Sequence, residues 1–213
     1  MEKKYCALTF DDGPNTTITV SMLDILKKHG VKASFFLWGD FINEETAPVV
    51  LREFQEGHEI CNHSRTHTPF DQLTPQQMLD EINWTEDKIK SIIGKGTNFF
   101  RPPYIGVSDS VYETVPLPMI CGIAANDWMP EVTARQRYDM IMESMRPGAI
   151  ILLHDLFENV QTLECVEMLI PELKEQGYEF VTVSELFEKY GIDPRANKFL
   201  YTFADQTVRR VDE

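Results

Sequence analysis

Short apolar runs alternate with amphipathic stretches along nearly the whole chain, and this alternation restricts the fold more than any single residue does. Strand-like runs fall at Cys6–Thr9, Ala33–Leu37, Glu59–Cys61, Phe99–Phe100, Met119–Ile123, Ala149–Leu153 and Phe180–Val183. Between them lie helical periods at Thr16–His29, Thr46–Gln55, Thr74–Ile93, Thr133–Met145, Gln161–Gln176 and Ser184–Tyr190. In the first of these Val20, Leu23 and Leu26 share one face, and Gly30 ends the helix. Thr74-Pro75-Gln76-Gln77 reads as a capping-box start with proline at the first helical position. Strands joined by helical crossovers of this length run parallel. About seven such units predict an α/β fold, a distorted (β/α) barrel of parallel strands rather than an open sheet. The 213 residues suffice for one such domain with a well-buried core. It is expected over 1–191. Residues 192–213 carry no clear helix or strand signal and read as a packed C-terminal tail or the start of a linker.

Parallel α/β folds gather their chemistry at the carboxyl ends of strands. Thr9-Phe10-Asp11-Asp12-Gly13-Pro14 and His63-Ser64-Arg65-Thr66-His67 both follow strand-like runs. Alone, the first is also a turn sequence and the second also a solvated helix face. Together they form a two-His, one-carboxylate set with a spare acid beside it. His63 and His67, four apart, converge on one ion with Asp12. Three protein ligands leave positions open for water and substrate, the mark of a catalytic site. Adjacent acids at a strand end point different ways, so Asp11 is free to face the substrate as a base.

Three further segments carry polar groups at strand ends. Arg101-Pro102-Pro103-Tyr104 follows Phe99-Phe100. Its two prolines fix the backbone, so the Tyr104 amide is held toward a substrate oxygen, and Arg101 is placed to pair with a buried carboxylate. Asn126-Asp127-Trp128 sets an acid beside a flat apolar wall of the kind on which sugars stack. Ile150-Ile151-Leu152-Leu153-His154-Asp155 ends the most apolar run in a histidine, a candidate general acid with Asp127 as its partner. His29 and His58 are read as local structural residues, His29 favoured at a helix C-terminus.

The formal charge of −14 argues against nucleic acid and against an anionic membrane as partners. No segment reaches the roughly 18 apolar residues of a membrane span. Met1–Lys4 leads into the first strand without a signal-peptide pattern, so a cytoplasmic location is expected, with a module excised from a secreted protein as the alternative. Cys6, Cys61, Cys121 and Cys165 show no paired spacing and read as small, reduced, buried hydrophobes.

Taken in order, the five segments resemble those of the polysaccharide deacetylases, carbohydrate esterase family four, over Tyr5 to about Tyr190. The resemblance implies one divalent metal ion, usually zinc or cobalt, held by Asp12, His63 and His67. It implies Asp11 as general base, Arg101 as its brace and the Tyr104 amide as an oxyanion donor. It makes His154 the acid, oriented by Asp127, and gives Trp128, Leu153 and Pro103 to substrate binding. Two departures stand out. The fourth motif commonly reads Asp-x-x-Asp-Trp, but Ala124 replaces its first acid here, and Cys61 stands where glycine is common. The form Ala124-Ala125-Asn126-Asp127-Trp128 looks closest to bacterial acetylxylan esterases. O-deacetylation of acetylated xylan is therefore expected, with N-deacetylation of N-acetylglucosamine glycans as the alternative. A non-catalytic carbohydrate-binding homologue would lack one of the seven polar residues, and all are present. A different metallo-barrel hydrolase would need further ligands at other strand ends, and the sequence offers no further histidine there.

Overall fold

A computed structural model describes residues 3–211. Among these, eight strands and seven α-helices alternate from β1 (Lys4–Asp11) to β8 (Leu200–Tyr201). The strands β2 (Ser34–Leu37), β6 (Ile150–His154) and β7 (Tyr178–Val181) pair parallel with β1, and β3 (Glu59–Asn62) pairs parallel with β2. β1 is the hub. Ala7 is in register with Ile150 on one edge and Val181 on the other, and further along Asp11 is opposite Phe36 and His154. One edge of β1 thus pairs first with β7 and then with β2, which distorts the barrel. The wall continues from β3 through Phe100, bridged to both Asn62 and Met119, into β4 (Met119–Ile120) and then β8. An Ala149–Phe203 bridge returns it to the start of β6.

The interior runs of β1, β2 and β6 are apolar on both faces because each is covered twice, inside the barrel and outside by helices. Leu8, Phe10, Phe35, Leu37, Ile151 and Leu153 are fully buried in one cluster with Met22, Leu23 and Leu26 of α1 (Ile18–His29) and Val166, Leu169 and Ile170 of α6 (Val160–Glu175). At about 25 cal/mol per Å² of apolar surface, each such side chain contributes roughly 1.5–3 kcal/mol. The expected capping box is present: Thr74 accepts from the Gln77 amide at the start of α3 (Pro75–Ile93), and the Gln77 side chain returns to Thr74 N.

Three expectations need correction. The Met119–Ile123 run is two strands, β4 and β5 (Ile123–Ala124), because Gly122 breaks it at φ +150°. A Cβ there would lie 2.8 Å from Leu152 Cβ, so the close strand approach requires glycine. Phe99–Phe100 forms only single bridges through Phe100. β7 ends at Val181, because Thr182 caps α7 (Val183–Tyr190) through the Glu185 amide. The segment after Ile192, read as a packed tail or the start of a linker, includes β8 and the buried Phe203 and Ala204. The short helix α4 (Asp109–Thr114), capped by Ser108, carried too little periodicity to be read. Among the described residues, no helix is long and apolar enough to cross a membrane.

Candidate metal centre and catalytic cleft

The carboxyl ends of β1, β3, β5 and β6 open onto one cavity of about 490 Å³. Asp11, Asp12, His63, His67, Tyr104, Trp128 and His154 all line it. β1 delivers the two acids. Asp11 is its last residue; Asp12 then takes a left-handed backbone, φ +72°, and an oxygen of each carboxylate approaches His63 Nε2. The histidines sit on the turn after β3, with His67 also left-handed at φ +60°. Asn62 Oδ1 holds the Ser64 amide, and the Glu81 carboxylate takes the Arg65 and Thr66 amides, so this turn is fixed from below and from α3.

Asp12 Oδ1, His63 Nε2 and His67 Nε2 form a nearly equilateral triangle with sides of 3.3, 3.3 and 3.2 Å. These three residues form a group able to hold a metal ion. Bonds of about 2.0–2.1 Å at tetrahedral angles require a ligand spacing of about 3.3 Å, so the set fits a cation such as zinc. Asp12 Oδ1 is buried and has no hydrogen-bond partner of its own, as an oxygen reserved for an ion would be. Burial pushes the Asp12 carboxyl up, but the two facing imidazoles more than reverse this and hold it well below the usual carboxylate range. The second nitrogen of His63, Nδ1, lies 2.7 Å from the Arg101 carbonyl, which leaves Nε2 as its ligand atom. His67 is oriented by rings: Trp38 stacks on it at 4.5 Å and Tyr104 meets it edge-on at 4.7 Å.

Asp11 is nearly buried and paired at 2.5 Å through Oδ1 with the fully buried Arg101. The guanidinium also donates to the Ile120 and Cys121 carbonyls and lies over the Phe36 ring at 4.1 Å. Each of its three nitrogens thus has an acceptor, and Asp11 Oδ2 is left facing the metal triangle, 3.8 Å from His63 Nε2. Across the cavity His154 Nδ1 bonds Asp127 Oδ1 at 2.7 Å. Asp127 Oδ2 takes the His154 amide and the Thr162 hydroxyl. Burial lowers the His154 pKa, but Asp127 beside it overrides this and raises it to about 9, so the ring is cationic at neutral pH. Trp128 sits edge-on to it at 5.6 Å and is half exposed to the cavity.

The structure therefore gathers nine of the eleven residues singled out in the sequence around one space. Arg101 and Asp127 belong to this set as the buried partners of Asp11 and His154. Leu153 and Pro103 are corrected. Leu153 is fully buried in the helix-facing core, and Leu152 lines the cavity instead, because side chains alternate along β6 and His154 shares its face with Leu152. Pro103 is buried, and Pro102 lines the cavity. Cys6, Cys61 and Cys165 are buried as expected, but Cys121 is partly exposed and borders the cleft. Trp38, Ile105 and Gly122 were missed. For Trp38 the signal was available: it is the first residue after β2, at a carboxyl end. Ala124 is exposed on the cavity wall opposite Leu152, so the missing acid enlarges the apolar part of that wall. His58 accepts from the Ala33 amide and His29 pairs with Glu167, both away from the cleft.

A distorted parallel barrel with an Asp-His-His cation site facing a braced carboxylate and a charged histidine defines a class of metal-dependent hydrolases. The chain belongs to the polysaccharide deacetylase family, whose sequence model matches residues 1–116. It is 45% identical, over 90% of its length, to a bifunctional xylanase/deacetylase of Pseudobutyrivibrio xylanivorans, and spans 32% of that relative. Its fold matches the carbohydrate esterase family four domain of a multidomain xylanase from the hindgut metagenome of Trinervitermes trinervoides, at TM-score 0.93 and 41% identity, covering 96% of this chain and 99% of that one. A family 4 acetyl xylan esterase from Clostridium thermocellum, solved with cobalt, matches at TM-score 0.92 and 39% identity, covering 95% and 100%.

Proposed function

We propose that this chain is a carbohydrate deacetylase that uses a divalent metal and hydrolyses O-acetyl groups of acetylated xylan or its oligosaccharides. One observation carries the reading: a cation triangle, a carboxylate with one free oxygen and a cationic histidine meet across a single cavity. Likeness to an acetyl xylan esterase supports the choice of ester and sugar. The ion, zinc or cobalt, would be held by Asp12, His63 and His67, and supplies Lewis acidity toward the acetyl carbonyl and the attacking water.

The remaining steps follow from the residues. Arg101 occupies Asp11 Oδ1, so Oδ2 is the oxygen that accepts the proton of the attacking water. Water oxygen bonds to the acetyl carbon, and negative charge gathers on the former carbonyl oxygen. The Tyr104 amide, on a backbone fixed after two prolines, donates to that oxygen. His154 donates its Nε2 proton to the departing sugar oxygen as the C–O bond breaks. Asp127 holds Nδ1 and stabilises the imidazolium until then. Trp128 and Leu152 wall the space that the acetyl group and its sugar enter.

The test is acetate release from acetylated xylan and from chitooligosaccharides, with zinc or cobalt and with a chelated control. Metal-dependent release from xylan is expected. Release from chitooligosaccharides alone would replace the ester substrate by an N-acetyl one, and no release from either would overturn the reading.

A further inference from the structure

His154 is followed by an acid that none of these steps uses. Asp155 is fully buried and lies between the two strand ends that carry the chemistry. Its amide donates to the Asp11 carbonyl at 3.1 Å and extends the β1–β6 ladder by one bond. Its Oδ1 accepts from the Gly13 amide at 3.1 Å, across 142 residues of sequence. Its Oδ2 accepts from the hydroxyl of Thr19, itself fully buried in α1. Its carbonyl accepts from Asn15 Nδ2 at 2.6 Å. Thr19 Oγ1 in turn accepts from the Asn15 amide at 3.0 Å. Every group of Asp155 is thus spent on the Asp11–Thr19 segment.

That segment needs an external hold. Asp12 is a non-glycine residue in the left-handed region, a conformation that costs of order 1 kcal/mol or more and persists only where surroundings impose it. The next amide, Gly13 N, is the one Asp155 takes. The approach is so close that a Cβ on Gly13 would lie 2.5 Å from Asp155 Oδ2, so glycine is required here for space.

We propose that Asp155 is a positioning residue: it fixes the Asp12 ligand and the Asp11 base relative to each other and to His154 by clamping the β1–α1 loop from beneath. This rests on the deacetylase reading for its effect on turnover, but not for its effect on the metal. Three variants test it, each assayed for folding by thermal melting, for Co²⁺ affinity by chelator competition without substrate, and for kcat and KM of acetate release. Asp155→Ala removes both side-chain acceptors and should lower Co²⁺ affinity and kcat by about 10–100-fold, with KM little changed. Asp155→Asn is the rescue: its Oδ1 still accepts from Gly13 and its Nδ2 donates to Thr19 Oγ1, so affinity should stay within a few-fold of the parent. Thr19→Val removes two bonds of the same network, the one donated to Asp155 Oδ2 and the one accepted from the Asn15 amide, without opening a cavity, and leaves the Gly13–Asp155 bond; it should give a smaller loss in the same direction and decides the matter if Asp155→Ala does not fold. Parental Co²⁺ affinity in folded Asp155→Ala, or in Thr19→Val where the alanine variant does not fold, overturns the proposal. Equal losses in Asp155→Asn and Asp155→Ala would also overturn it, because charge rather than the clamp would then matter. Absence of acetate release from the parent protein would sink the deacetylase reading and leave the metal result standing.

Discussion

Replacing Asp127 by asparagine changes one atom and should move the alkaline limit of activity. In the parent, Asp127 Oδ2 is fixed as an acceptor by two donors, the His154 amide and the Thr162 hydroxyl. An asparagine must therefore put its oxygen there and its NH₂ toward His154 Nδ1. A donor facing Nδ1 forces that nitrogen to accept, so the ring cannot carry two protons. The His154 pKa, which Asp127 with smaller help from Asp11 and Asp12 raises to about 9 against burial, then falls toward its ordinary 6.5. The active form is the protonated one, present below the folded pKa and lost as pH rises through it. At pH 8 about nine-tenths of His154 is protonated with a pKa near 9, but only about 3% at 6.5, so turnover falls roughly 30-fold from titration alone. A cation beside Asp11 and Asp12 pulls the parent value down, which places its alkaline limb at or below about 9. The assay is the pH profile of kcat/KM for acetate release from acetylated xylo-oligosaccharides, parent against Asp127→Asn. An aryl acetate, whose phenolate departs unprotonated, should lose much less. An unchanged alkaline limb in the variant would refute His154 as the acid.

Asp11→Asn keeps the metal triangle and should lower kcat by about 10²–10⁴ with Co²⁺ affinity near the parent's; retained activity would exclude Asp11 as base. Chelation should abolish turnover, and zinc or cobalt should restore it; at a thousandfold excess over Kd the ion adds about 4 kcal/mol, and a melting temperature unmoved by metal would contradict the site. Leu153→Ala should cost about 2–5 kcal/mol of stability in denaturant melts with KM little changed, whereas Leu152→Ala should change KM more than stability. The reverse pattern would contradict the face assignment along β6.

The alternation of apolar runs and helical periods determined a parallel α/β barrel, because period and crossover length are local properties of the chain. Side-chain chemistry and spacing likewise marked Asp11, Asp12, His63, His67, Arg101, Asp127 and His154, since few residue types bind metals or move protons. What only the tertiary structure decided was register and proximity. Which of Leu152 and Leu153 faces the cleft depends on how β6 sits against β1, and a one-residue shift exchanges the two faces. Trp38 reaches His67 and Asp155 reaches Gly13 only because distant strand ends meet. The final strand, Leu200–Tyr201, is two residues long and owes its form to β4 and the barrel's closing bridge rather than to any periodicity of its own. Such contacts form between segments far apart in sequence, and no local pattern encodes them.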